Sequence, residues 1–216
     1  MILHVYEAAK KTNTGDVYVA TPDQKVIDVI TGHGGKAVLT SLEHQTGTDR
    51  VYEVFKNELK SEPSIIVNLQ GDMPNIDPKA ISDLILYMKK GECDIGTLAS
   101  KFSSEAELAD ENNVKVVVKE KINSDNFSKA TDFFRTSSNT HENIYHHVGI
   151  YAFTNKALVR YVSLERSKLE LKRKLEQLRA LENDMSIHVG YIFSSPLSID
   201  TKNDLIEIKK IMENNE

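Results

Sequence analysis

Short apolar runs alternate along the chain with segments in which apolar residues recur every three or four positions, a rhythm of strands and amphipathic helices. From Met1 a helical pattern through Ile2, Leu3, Val5, Tyr6 and Ala9 ends on Lys10 and Lys11, where cations suit the helix dipole. A strand at 16–20, a helix at 24–31 closed by Gly32 and the Gly34-Gly35 pair, and a strand at 36–39 follow. The stretch 64–74, which contains Ile65, Ile66, Val67 and Leu69, reads as a buried strand delivering Asp72 to the rim of a sheet. Helices are predicted at 51–59, 77–89, 156–162, 168–182 and 205–212, an acidic helix-like segment at 104–110, and further strands at 95–99, 114–119, 145–153 and 187–193. Between 121 and 145 the pattern weakens, and a long loop or an excursion from the sheet is expected there. The alternation predicts one α/β domain over 1–216, with three layers and a mostly parallel central sheet between helices.

Composition narrows the function classes. At 216 residues, 40% hydrophobic and 27% charged, the chain has the size and make-up of one main globular domain. A net charge of -5 and the absence of a basic stripe interleaved with aromatics argue against nucleic acid. The lone Cys93 excludes an intrachain disulfide and a cysteine-only zinc site. No apolar run approaches the roughly 18 to 20 residues of a membrane span, and no basic stretch followed by a hydrophobic block opens the chain. A soluble, cytoplasmic protein without a membrane partner is expected.

Several polar positions carry candidate chemistry. Asp72 follows Gly71 beyond a strand end, where open α/β sheets gather ligands and where a carboxylate can bind a metal held by phosphates; a plain turn residue would also fit. The loop His44-Gln45-Thr46-Gly47-Thr48-Asp49-Arg50 offers backbone N–H groups, hydroxyls and a guanidinium to a ligand, while capping of the next helix by Thr48 accounts for it equally well. Thr201 and Asp204 fit a capping box, which leaves Asp200 unexplained as a second carboxylate at a strand-to-helix junction. His146 and His147 must face opposite sides of a strand, one lining a pocket and the other satisfied structurally.

Together these segments resemble the cytidylyltransferases that activate 3-deoxy-manno-octulosonate (Kdo). The matches are His44 to Arg50, Val67-Asn68-Leu69-Gln70-Gly71-Asp72-Met73-Pro74, Tyr145-His146-His147-Val148-Gly149-Ile150-Tyr151, Leu175-Glu176-Gln177-Leu178-Arg179 and Ile199-Asp200-Thr201-Lys202-Asn203-Asp204-Leu205, in the family's order. The resemblance implies a Rossmann-like nucleotidyltransferase fold, a homodimer, Mg²⁺ dependence, and the reaction of CTP with Kdo to CMP-Kdo and pyrophosphate for lipopolysaccharide synthesis. It makes Asp72 and Asp200 the catalytic, metal-holding carboxylates, places cytidine on Thr46, Gly47, Thr48, Asp49 and Arg50, and gives Gln70, Lys129, His147 and Gln177 contacts to the sugar acid.

The departures from the family set further expectations. Members begin with a strand and a basic, small-residue loop ahead of the helix that starts here at Met1, so the chain is expected to be N-terminally incomplete and turnover low. Lys129 stands at the family's arginine, keeping the charge without the bidentate geometry. Alternative readings are a cytidylyltransferase for another sugar acid, and a non-catalytic nucleotide-binding or partner protein.

Overall fold

The computed structural model describes residues 1–59, 62–137, 141–199 and 201–213. In chain order its elements are α1 (Ile2–Lys11), β1 (Val19–Thr21), α2 (Gln24–Gly32), β2 (Ala37–Leu39), α3 (Gly47–Glu58), β3 (Ile65–Leu69), α4 (Pro78–Met88), β4 (Ile95–Ser100), α5 (Glu105–Ala109), β5 (Lys115–Val118), β6 (Phe127–Phe134), β7 (Ile144–Thr154), α6 (Asn155–Ser163), α7 (Lys168–Arg173), α8 (Gln177–Glu182), β8 (Ile187–Tyr191) and α9 (Lys202–Glu213). They fall into two compact units, one of Met1–Ser61, Gln70–Asp83 and Pro196–Glu216, the other of Glu62–Leu69 and Leu84–Ser195.

In the first unit β1 and β2 pair in parallel, from Val19 opposite Ala37 to Thr21 opposite Leu39. The crossover between them is α2, started by Asp23, whose carboxylate accepts a hydrogen bond from the Lys25 amide at 2.8 Å. The turn after α2 needs glycine at position 35, because a Cβ there would stand 2.7 Å from Ile30 Cγ2 and 3.0 Å from the Tyr6 ring. Val5, Ala8, Val19 and Ile30 are buried in this unit.

The second unit is built on a six-stranded sheet in the order β3-β7-β4-β8-β6-β5, with β7 also bonding β5. Only β4 and β8 pair in parallel; β3–β7, β4–β7, β5–β6, β5–β7 and β6–β8 are antiparallel. The expected mostly parallel sheet is therefore corrected to a mixed, chiefly antiparallel one among the described residues. The cause is that β5, β6 and β7 follow one another with no helix between them, and such neighbours fold back as antiparallel strands.

The region 121–145, expected to leave the sheet, instead returns to it as β6. Between Phe127 and Asp132 its inward positions carry only the small Ser128 and Ala130 and its outward ones Lys129 and Thr131, so large apolar residues mark the ends of the strand, at Phe127, Phe133 and Phe134, and not its middle. The predicted helix over 168–182 is two helices, broken at Lys174 in the left-handed region (φ 55°, ψ 45°). Among the described residues no helix is long and apolar enough to cross a membrane.

Candidate active site

Asp72 sits in the turn that follows Gln70, the residue after β3. Its Oδ2 accepts a hydrogen bond from Ser198 Oγ at 2.7 Å, and its carbonyl accepts one from the Ile199 amide at 3.1 Å. Leu197 N donates to Asn75 Oδ1 at 3.0 Å, so three successive residues, 197–199, are stitched to the Asp72 turn. Asp72 Oδ1, in contrast, is buried with no hydrogen-bond partner among the described residues. A bare, buried carboxylate oxygen is costly unless something positive meets it. Asp200, read from the sequence as the companion carboxylate, lies outside the described residues. Just beyond it Thr201 and Asp204 close the expected capping box, with Thr201 N donating to Asp204 Oδ2 at 2.7 Å and Asp204 N to Thr201 Oγ1 at 3.2 Å.

The segment 46–50 is the start of α3 itself, not a loop ahead of a helix at 51. Thr46, not Thr48, is the N-cap: its hydroxyl accepts from the Asp49 amide at 3.2 Å and donates to Asp49 Oδ2 at 2.8 Å, while Thr48 is buried. Arg50 Nη1 donates to Thr40 Oγ1 at 2.5 Å and to the Ser41 carbonyl at 2.9 Å. His44 Nε2 and the Ser41 amide both meet Glu53 Oε2, and these bonds hold the Glu53 carboxyl below the usual range. The result is a braced helix N-terminus, a setting that favours anionic groups.

A second constellation lies within the six-stranded unit. His147 on β7 is 7% exposed, edge-on to Phe133 with ring centroids 5.2 Å apart and 5.4 Å from Tyr151. Burial, and next to it the neighbouring His146, lowers its pKa to about 3, so the ring is neutral at physiological pH. Burial foremost, and then the charge of Glu176, raises the Tyr151 phenol well above its ordinary value. Glu176 is the N-cap of α8, and its carbonyl accepts a hydrogen bond from the Tyr161 hydroxyl at 2.8 Å. Gln177, the first residue of α8, is buried. His146 faces away, hydrogen-bonded through Nδ1 to Glu107 Oε1 at 2.7 Å and stacked on Phe102, as the alternation of a strand requires.

What aims α8 is a buried ionic clamp. Glu170, fully buried, accepts Arg179 Nε at 2.9 Å and Nη2 at 2.7 Å, Arg166 Nε at 2.9 Å and the Ser167 amide at 3.1 Å. Burial pushes the Glu170 carboxyl up, but these donors outweigh it and hold it below its ordinary value.

The structure thus brings together His147 and Tyr151, with Glu176 acting on the Tyr151 phenol, and buries Gln177 at the start of α8. Lys129 is exposed on β6 opposite His188, four residues before Phe133, which packs against His147. Sequence reasoning did not single out Thr97, whose buried Oγ1 lies 2.9 Å from His147 Nε2; its one available signal was a polar residue in the apolar run Ile95-Gly96-Thr97-Leu98-Ala99. No group of three or more His, Cys, Asp or Glu side chains suited to a metal occurs among the described residues.

Residues 1–187 match the model of a family described as cytidylyltransferase. The chain belongs to the cytidylyltransferase family. The 3-deoxy-manno-octulosonate cytidylyltransferase of Bartonella henselae is 38% identical over 214 residues, covering 98% of this chain and 87% of the relative. The cytidylyltransferase of the same name from a Bradyrhizobium species is 39% identical over 217 residues, 98% of this chain and 86% of its own. Among solved structures, a CMP:2-keto-3-deoxy-manno-octonic acid synthetase complexed with CTP superposes with a TM-score of 0.88 at 33% identity, covering 100% of this chain and 88% of that one. A 4-diphosphocytidyl-2C-methyl-D-erythritol synthase from Anaerococcus prevotii, at 15% identity and a TM-score of 0.63 over 98% of this chain and 89% of its own, shares the fold. The α/β nucleotidyltransferase fold of this cytidylyltransferase is therefore established, with the mixed sheet described above.

Proposed function

We propose that this cytidylyltransferase joins CTP to Kdo, giving CMP-Kdo and pyrophosphate. The anomeric hydroxyl of the sugar acid gives up its proton to solvent as its oxygen forms a bond to the α-phosphorus, the bond from that phosphorus to the bridging oxygen breaks, and pyrophosphate leaves with its electrons. The relatives' names support the substrates, and the observation that carries the chemistry is the bare, buried Oδ1 of Asp72. That oxygen fits a hard divalent cation, and Asp72 with Asp200 would hold Mg²⁺. When bound, the ion supplies neutralising charge at the α-phosphate and lowers the pKa of the attacking hydroxyl.

The protein's own groups divide the remaining work. Thr46, Gly47, Thr48, Asp49 and Arg50, braced at the start of α3, take the cytidine side of CTP. Gln70, His147 and Gln177 offer hydrogen bonds to the sugar acid. The family resemblance further carries a homodimer and a place in the cytoplasm.

A second acceptor acid is favoured by one observation: Lys129 replaces the family's arginine and lies on β6 beside His188. Incubation with CTP, Kdo and Mg²⁺, followed by phosphorus NMR, tests the leading reading. A phosphodiester signal of CMP-Kdo is expected in wild type, absent without metal; its appearance only with a different sugar acid would move the assignment to that acid.

A further inference from the structure

The β7 strand is interrupted where it meets β4. Thr97 stands opposite Tyr151 and the next residue, Leu98, opposite Val148, so Gly149 and Ile150 have no counterpart on β4. Such a bulge leaves backbone carbonyls without ladder partners, and one side chain attends to them. Thr97 Oγ1, fully buried, lies 2.7 Å from the Ile150 carbonyl, 3.3 Å from the Val148 carbonyl and 2.9 Å from His147 Nε2.

A hydroxyl has one proton. A carbonyl oxygen cannot donate, so the 2.7 Å contact to Ile150 consumes the Thr97 proton. Oγ1 can then only accept from His147, whose proton must sit on Nε2. Nδ1 is left as a lone pair, and it makes no hydrogen bond among the described residues.

We propose that Thr97, held by the β7 bulge, locks His147 in its Nε2–H tautomer, so that Nδ1 accepts a hydrogen bond from a hydroxyl of the acceptor sugar and does not serve its carboxylate. Thr97 is a positioning residue: it acts through His147. The inference rests on the reading above that His147 faces the sugar acid. The neutral state imposed by burial agrees with it, since an imidazolium would donate from both nitrogens. The selectivity is physical: a hydroxyl satisfies a bare nitrogen, whereas a carboxylate would oppose lone pair to lone pair. The acid group of the substrate must then be met by other donors.

The test uses the full chain labelled with nitrogen-15 histidine, the His147 signals being assigned by their loss in H147Q. Nε2 protonated and Nδ1 bare at pH 7 are expected, together with loss of that fixed tautomer in T97V and its retention in T97S. In steady-state assays T97V should raise the KM for the sugar acid about tenfold, with kcat and the KM for CTP within about twofold, and T97S should restore the wild-type value. An Nδ1–H ring in wild type, or the same tautomer in T97V, overturns the lock. The stated tautomer with an unchanged sugar-acid KM in both T97V and H147Q overturns the hydroxyl contact while leaving the lock standing. Absence of turnover with any sugar acid would count against the reaction assigned above, and the nitrogen spectra would still decide the tautomer.

Discussion

At the scale of single residues, Asp72 and His147 are held in opposite ways. Asp72 spends one oxygen on Ser198 and keeps the other bare, while His147 spends one nitrogen on Thr97 and is stripped of water around the ring. D72N preserves shape and removes the charge, so kcat should fall by about 100-fold or more with folding intact, checked by turnover alongside a thermal melt. His147 makes a stability prediction. Its unfolded ring titrates near 6.5 and its folded ring at about 3, because burial disfavours the cation. The neutral ring's contribution is therefore fully present above about pH 6.5 and is lost as pH falls towards 3, at up to about 1.4 kcal/mol per pH unit. Urea unfolding at pH 7, 6, 5 and 4 should show that slope in wild type and a shallower one in H147Q.

Asp72 was legible in the sequence because a carboxylate after Gly71 and beyond an apolar run is a recognisable strand exit. Thr97 was not. A β-branched residue in an apolar strand looks like filler, and the carbonyls that use its hydroxyl belong to a strand about fifty positions later, beside a bulge with no sequence mark.

At the scale of elements, the break between α7 and α8 decides where Glu176 and Gln177 stand. Leucines at helical spacing predict one helix over 168–182, but local periodicity cannot report the bidentate pairing of Glu170 with Arg179, nine positions apart. That pairing, with the Ser167 capping box and the left-handed Lys174, folds the segment back on itself. Removing one partner of a buried ion pair strands the other, so E170A should cost about 3 to 5 kcal/mol in urea unfolding. K174G, at a position where a Cβ is disfavoured, should keep stability or raise it by up to about 1 kcal/mol. On β8, a Cβ on Gly190 would come 2.4 Å from the Phe127 ring, which is stacked on Tyr87 with centroids 3.7 Å apart. G190A should therefore destabilise by about 1 to 3 kcal/mol, seen as a lower melting temperature.

At the scale of the whole molecule, the alternation of strands and helices was enough to name an α/β protein, and helices such as α2 and α4 fall within a residue or so of their predicted bounds. Strand direction was not accessible in the same way. A parallel sheet follows only where each strand returns through a helix, and β5 to β7 do not. The candidate site residues come from the family's motifs, which record chemistry better than they record the packing that orients it. Motifs can therefore nominate Asp72, His147 and Gln177, but they carry no mark of the bulge in β7 or of the clamp on α8.

The central claim, cytidylyl transfer to Kdo, is tested most directly by pyrophosphate release from CTP and Mg²⁺ with Kdo, with sialic acid, and with no acceptor. Release that depends on Kdo, is not supported by sialic acid and is abolished in D72N is the predicted result, whatever its rate. Release that is the same with and without Kdo, that requires a different sugar acid, or that does not occur at all would contradict it.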